Sequence, residues 1–366
     1  MNAFDELLGR PVSMRAMALL RIAVGPIVLL HLQPFIEDAR DGIIYRDTFY
    51  AKYVTWYPEL PRSLYVALLW TAAVTAVAMT IGLWTRVTTA LTFGFVAYNV
   101  FLSTTHFHNN RAYLLIVLGM LALAPCGREL SFDAWWRART GRAPLPAEAP
   151  GWPLWLLRFE AAVVYGASGF SKLVDPDWFG GNVTWGRMIR AEVSMRTNTA
   201  LPDWWIDVLT NRTFHTYAAK VLVATEVFIA VGLWFRRTRY AAVWVAVLFH
   251  VVIEVSASVQ IFSYLAIAAL LVWAVPSTRD RTLFLPAGDP LRRVVPPLDW
   301  LARFRIEDGD ERRIVDRDGR AAEGTAATTF VFSRLPLTAW FALPFAGLMG
   351  LREHSARWTS NSSSTN

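Results

Sequence analysis

Apolar positions in this chain fall into eight long runs, roughly 16–35, 63–84, 87–104, 112–126, 153–173, 218–235, 239–256 and 259–276. About twenty predominantly apolar residues are enough to cross the hydrocarbon core of a bilayer, so each run is read as a spanning helix. The pairs 63–84 with 87–104 and 239–256 with 259–276 are joined too tightly for anything but antiparallel hairpins. The first run carries Arg21, Pro26 and His31 and is expected to be the least regular. Arg21, near an edge of that run, is expected to snorkel to the interface.

Beyond Pro276 the pattern changes. Residues 277–300 are rich in Pro and Arg, and residues 304–324 predict short strands around the turns Asp308-Gly309 and Asp318-Gly319. Thr329 to Leu351 is apolar but broken by Arg334, Pro336 and Pro344, which suits an interfacial or re-entrant helix or a ninth span. The expectation is an all-α polytopic membrane protein of about eight spans (a ninth at 329–351), with a small C-terminal β-hairpin and interfacial segment. Its parts are a membrane domain at 1–276, a cytoplasmic extension at 277–351 and a disordered tail at 352–366.

Composition agrees: 54% of the 366 residues are hydrophobic and 18% charged, which excludes an ordinary soluble domain. The lone Cys126 excludes an internal disulfide, CxxC redox chemistry and a cysteine zinc site. The net charge of +7 is spread through loops, which argues for topology and lipid contact and against a nucleic-acid partner. Arg10 and Arg15, Arg86, Arg128 to Arg142, Arg236 to Arg239 and Arg279 to Arg293 share one side if both ends of the eight-span core are cytoplasmic. The Ala- and Arg-rich composition suggests a bacterial protein, hence an inner-membrane, multi-pass one. The outer connections 36–62 and 174–217 are long and aromatic, as structured interfacial caps would be.

Depth then sorts the candidate chemistry. Arg158, Tyr165 and Lys172 are spaced by seven, within about 20° of one another on a helix, and Ala161, Ala162, Ser168 and Gly169 leave room on that side for a neighbour. Lys172, the His250–Glu254 pair one turn apart, Asn99 and the HFHNNR stretch at 106–111 fall at similar depth on the outer side. His250 and Glu254 read either as a polar packing ladder or as a carboxylate-oriented acid–base pair. His106, His108, His250 and Glu254 could be assembled around a metal, but His-x-His on a loop is a weak ligand pair, and no metal site is expected. Glu226 has no partner on its own helix, so it either pairs across helices or is protonated.

Three stretches carry a resemblance. YGASGFSKLVDPDWFGG (165–181), HNNRAYLLIVLGMLALAPCGRELSFDAWW (108–136) and LFHVVIEVSASVQIFSYLAIAALLV (248–272) resemble, in order, segments of the vitamin K-dependent gamma-carboxylases and the wider bacterial HTTM membrane proteins. The resemblance implies that Lys172 is the base that deprotonates a reduced quinone and that His250 shares its site. The chain departs from the carboxylases in having Arg111 where they carry a histidine and Ser171 where they carry a lysine. It also lacks their large lumenal region, which makes glutamate carboxylation doubtful. Residues 277 onward look like the C-terminal part of relatives joined to thioredoxin-like thiol domains, without the CxxC.

The expected function is that of a lipid- or quinone-linked enzyme with an outward-facing intramembrane pocket. Lys172, His250 and Glu254 are its expected catalytic residues, and Arg111, Asn109, Asn110, Tyr165 and Trp178 its substrate- or cofactor-binding ones. Arg111 would tune the lysine or hold an anionic group. A reduced menaquinone or vitamin K-type quinone is the implied cofactor, and membrane lipids and a membrane or periplasmic protein are the implied partners. The alternative is a non-enzymatic lipid- or small-molecule-binding component of an export or maturation complex.

Overall fold

The computed structural model describes residues 8–43, 51–199, 201–257, 261–274, 279–336 and 338. It divides into two compact units, one comprising 1–12 and 17–273, the other 13–16 and 274–366.

The first unit is mostly helical, and every one of the eight apolar runs contains a helix. These are α1 (Arg15–Arg40), α2 (Arg62–Ile81), α3 (Thr85–Leu102), α4 (Asn109–Leu123), α6 (Trp152–Val174), α10 (Arg212–Gly232), α11 (Arg239–Ala257) and α12 (Phe262–Ala269), with a short α5 (Phe132–Arg139) after α4. A 3-10 turn, Leu270–Trp273, extends α12. Among the described residues α1, α2 and α10 are long and apolar enough to cross a membrane. α4, at 15 residues, is shorter than the hydrocarbon core is thick at about 1.5 Å per residue. α6 is 23 residues long but carries Arg158, Glu160 and Lys172.

α1 is continuous over 26 residues with Pro26 and Pro34 inside it, so the expected irregularity does not break it. The exterior of this unit is strongly apolar: Trp70, Val74, Val77 and Ile81 of α2, Phe170 and Leu173 of α6, Val221 and Val231 of α10, and Leu248 and Val252 of α11 are all exposed. Arg21, His31, Asn99, Arg158, Glu226 and His250 are buried instead. Contiguous exposed apolar surface of this kind suits a lipid solvent, in which polar groups are the ones that must be satisfied inside.

One end of α2 and α3 shows how that satisfaction is achieved. Arg21 does not snorkel. It is wholly buried and donates to the carbonyls of Met79, Thr80 (2.9 Å) and Leu130 (2.6 Å), closing the C-terminal end of α2, whose last carbonyls have no helical partner. Gly82 stands at φ 73, and a Cβ there would collide with Ser131 and the Arg21 guanidinium. Asp133 of α5 accepts from the Trp84 and Thr85 backbone N–H groups (2.8 and 2.7 Å) and from the Thr85 hydroxyl (2.7 Å), capping α3 from outside its own sequence. Ser131 meanwhile caps α5 by accepting from Ala134 N–H at 3.0 Å. The Ser–x–Asp at 131–133 is therefore a structural lock.

Connection 174–217 folds into α7 (Pro176–Phe179), α8 (Asn182–Asn198) and α9 (Asp203–Thr210). Arg196 holds it together by pairing with Glu192 (3.0 Å), Asp203 (3.1 Å) and Asp207 (2.6 Å). Of connection 36–62, Tyr45, Phe49 and Tyr50 lie outside the described residues, while Tyr57 stacks on Tyr98, with ring centroids 5.3 Å apart.

The second unit is larger than the hairpin expected from its turns. Four strands, β1 (Arg281–Leu285), β2 (Phe304–Asp308), β3 (Arg313–Val315) and β4 (Ala321–Glu323), form one sheet in the order β2-β1-β3-β4. β1 and β2 run parallel, joined through α13 (Leu291–Leu298), while β3 is antiparallel to both β1 and β4. The Asp318-Gly319 turn thus joins paired strands, whereas Asp308-Gly309 leads out of β2 and around β1. The reason lies in β1, whose central Leu283 and Leu285 are fully buried and take a neighbour on each edge. α14 (Gly324–Arg334) closes the core, with Ala327, Phe330, Val331 and Leu335 packed among Leu283, Leu285, Ile314 and Ala322. The part of the anticipated interfacial or ninth helix at 329–334 is therefore taken up by a helix packed on a sheet. Residues 337, 339–351 and the tail 352–366 lie outside the described residues.

Replacing Arg21 by Met keeps apolar bulk but leaves three carbonyls without their donor. A loss of about 1–3 kcal/mol is expected, read as a lowered midpoint of thermal unfolding in detergent. Arg139→Gln, at an exposed position, is expected to leave the midpoint in place.

Candidate functional site

α6 and α10 pack closely and antiparallel, and the site grows from that contact. Trp155 stacks on Trp234 with planes 9° apart near one end. Further along, a Cβ added to Gly166 would touch Ala230 at 3.8 Å, and one added to Gly169 would stand 3.2 Å from the Glu226 Cβ and 3.3 Å from Val227. Glycine at 169 therefore sets the approach of the two backbones, as the small-residue stripe leads one to expect.

At this closest approach Lys172 meets Glu226. The ammonium donates to both carboxylate oxygens at 2.9 Å and to the Ser168 hydroxyl, which itself donates to Glu226 Oε1 at 2.9 Å. Ser168 and Lys172 are four residues apart, so both reach the same carboxylate from one face of α6. Glu226 is almost fully enclosed, its side chain only 5% exposed, against 19% for Lys172. Trp178 of α7 lies beside the pair, with the Lys172 ammonium 5.4 Å from its ring centroid and the Arg187 guanidinium 5.5 Å from it. Asp175 positions this tryptophan by accepting from the N–H groups of Asp177 and Trp178 at 2.9 and 3.3 Å.

Two turns earlier on α6, the Tyr165 hydroxyl is joined to His250 Nε2 of α11 at 2.7 Å. Both are buried, and Phe249 and Phe262 flank the imidazole edge-on. His250 Nδ1, Glu254 Oε2 and Ser263 Oγ are buried polar atoms without a hydrogen-bond partner among the described residues. They come from one turn of α11 and the first turn of α12, so unsatisfied polar capacity concentrates where these helices meet.

The residues expected at the site thus separate into groups. Lys172 and Trp178 belong to one cluster, and Tyr165 and His250 to a hydrogen-bonded pair on the same helix face, with Glu254 one turn beyond. Arg111, Asn109 and Asn110 are placed elsewhere. Arg111 donates to the His106 carbonyl at 2.6 Å and lies 4.8 Å over the Phe35 ring, so its contacts among the described residues are with α1 and the start of α4, not with Lys172. The physical reason is reach: with His106 and Arg111 folded back on each other at the top of α4, the guanidinium is drawn toward α1. Asn110 contributes its backbone N–H, which donates to His108 Nδ1 at 3.2 Å, and Asn109 begins α4. His106 in turn bonds the Asn99 carbonyl through Nδ1 at 2.9 Å, and His250 bonds Tyr165 through Nε2.

Glu226 and Ser168 were not among the expected site residues. A signal for the first did exist: Glu226 had no partner on its own helix, and an intramembrane charge requires one, which the lysine of a neighbouring helix can supply.

A family model described as the HTTM domain matches residues 9–277. No curated protein and no solved structure matches the chain.

Breaking the Lys172–Glu226 pair from either side leaves a charge enclosed without compensation. Glu226→Leu and Lys172→Met are each expected to cost about 3–5 kcal/mol, and the double variant to cost less than the sum. Unfolding midpoints around the double-mutant cycle measure this, and additive losses would show that the two groups do not interact.

Proposed function

The chain belongs to the HTTM family, which is associated with vitamin K-dependent carboxylase-like proteins, and on that premise we propose that it is a quinone- or lipid-linked membrane enzyme whose general base is Lys172. The observation that carries the reading is the enclosed Lys172–Ser168–Glu226 cluster. An amine acts as a base only when neutral, and in this reading the substrate's proton passes to the Lys172 amine, with the Ser168 hydroxyl and the Glu226 carboxylate hydrogen-bonded beside it to take the proton on.

A reduced quinone would supply a weakly acidic hydroxyl and two-electron redox capacity. Its fit is supported by the orphaned His250 Nδ1, Glu254 Oε2 and Ser263 Oγ, among which the glutamate oxygen can accept from a quinol hydroxyl and the serine hydroxyl can donate to its oxygen, and by the Trp178 face beside Lys172. His250 and Tyr165 would hold and orient the ligand. In this reading the eight helices all cross the bacterial inner membrane, with both ends of the core cytoplasmic and the lysine cluster toward the outside. Glutamate as a substrate is not part of the proposal.

A second reading draws on the same cluster. With its ammonium saturated by Glu226 and Ser168, Lys172 would serve as a helix-packing element in a non-enzymatic lipid- or small-molecule-binding component of a membrane assembly.

Reduced menaquinone offered together with dioxygen to the protein in nanodiscs separates the two, with dioxygen as the oxidant that takes up the electrons of a consumed quinol. The enzyme reading expects quinol consumption that falls by about 10²–10⁴ in Lys172→Ala, with Lys172→Arg equally inactive because a guanidinium stays protonated. Consumption independent of Lys172 in a folded variant would sink the general-base role. Saturable binding with no consumption by the native protein would favour the second reading. Orientation is tested by introducing His108→Cys and Thr140→Cys and labelling intact cells. Position 108 is expected to react from outside and position 140 not to, and the reverse would overturn the topology.

A further inference from the structure

A second polar cluster in the helical unit plays no part in the lysine site. His31 of α1, His106 of the α3–α4 connection and Arg111 of α4 meet around the ring of Phe35 of α1, and Tyr65 of α2 and Asn99 of α3 join them through His106. His31 and His106 meet that ring edge-on, at centroid distances of 5.2 and 4.8 Å, and the Arg111 guanidinium lies 4.8 Å over it. The Tyr65 hydroxyl donates to Asn99 Oδ1, and His106 Nδ1 bonds the Asn99 carbonyl at 2.9 Å, which fixes Asn99 from two sides.

What is missing from this cluster is an acceptor. Asn99 is wholly buried and His31 is 3% exposed, yet Asn99 Nδ2 and His31 Nε2 have no hydrogen-bond partner among the described residues. Leaving two buried polar atoms unmet is costly. Arg111 donates to carbonyls but forms no ion pair with a carboxylate among the described residues. Burial and the field of Arg111 leave the His106 imidazole harder to protonate than usual, against the hydrogen bond to the Asn99 carbonyl and the field of Asp38. The first turn of α4 adds the positive end of a 15-residue helix. Donor groups from α1, α3 and α4 thus gather where, among the described residues, no carboxylate pairs with the Arg111 guanidinium.

We infer that the Arg111–His31–Asn99 cluster binds an oxyanion of the phosphate type, the guanidinium supplying the charge and the Asn99 amide and His31 Nε2 supplying the inner hydrogen bonds. A planar guanidinium suits such a group because its N–H pairs match two oxygens at once. The same chemistry is presented by a lipid phosphodiester and by free phosphate. This site is independent of Lys172 and does not require the enzymatic reading.

The test uses the purified full-length chain in a maltoside detergent. Binding of short-chain phosphatidylglycerol, inorganic phosphate and a phosphate-free monoacylglycerol is followed by native mass spectrometry and by the shift in unfolding midpoint. Saturable binding of the phosphate-bearing lipid or of phosphate is expected, and none of monoacylglycerol at this site. The tighter of the two names the source. Arg111→Gln is expected to weaken binding about tenfold or more, as loss of a charge-assisted contact does, and the exposed Arg139→Gln not to change it. His31→Gln serves as the second variant if Arg111→Gln does not fold, and is also expected to weaken binding. Absence of binding by both phosphate species, or binding indifferent to Arg111 and His31, overturns the assignment. Because the readout is binding and not turnover, such a failure leaves the Lys172 proposal standing.

Discussion

An ammonium and a carboxylate placed between two apolar helices must find each other, and the meeting of Lys172 with Glu226 is the constraint around which the helical unit is arranged. Either charge alone would be prohibitive in a dry interior; together, with Ser168 bridging them, they are satisfied. The pair demands that α6 and α10 come close, and Gly169 permits it. Trp178 then covers the lysine from α7, and Tyr165 on the same face of α6 reaches His250 of α11. A chemical site and a packing contact are here the same object, which is why the enzymatic and the non-enzymatic readings begin from identical geometry.

The rest of the unit applies the same rule at its ends. Arg21 completes the carbonyl end of α2 and Asp133 completes the amide end of α3, each from a distant part of the chain. In water such groups would be solvated freely. Among helices whose outer faces are apolar, a side chain from a neighbouring segment has to do it. The second unit follows soluble-domain logic instead, with a sheet whose central strand β1 is buried and one helix, α14, closing an apolar core.

Several features were legible in the residues. Each apolar run contains a helix, because burying backbone polar groups in an apolar stretch leaves helix as the local solution. The seven-residue spacing of Tyr165 and Lys172 placed them on one face, and the small residues beside them marked a tight helix contact. Arg21 was misread because its nearness to a helix end suggests an aqueous exit, whereas its true partners are carbonyls supplied by α2 and by Leu130, remote in sequence. The neighbours of Arg111 were not legible for a related reason: similar depth does not imply a shared cluster, and the turn at His106 brings it over Phe35 of α1. The strands after residue 300 were visible from their turns, but β1 inserts between β2 and β3, a long-range pairing that no turn announces.

What the sequence by itself determined is the set of helices, their apolar character and the presence of a few charges too costly to leave alone, since periodicity and desolvation act locally. Only the tertiary structure decided which group answers which: Glu226 for Lys172, Tyr165 for His250, and for Arg111 the carbonyls of Thr105 and His106 and the Phe35 ring. Partner choice depends on which helix faces meet and how closely, and that is set by packing summed over the whole unit, not by any stretch of residues within it.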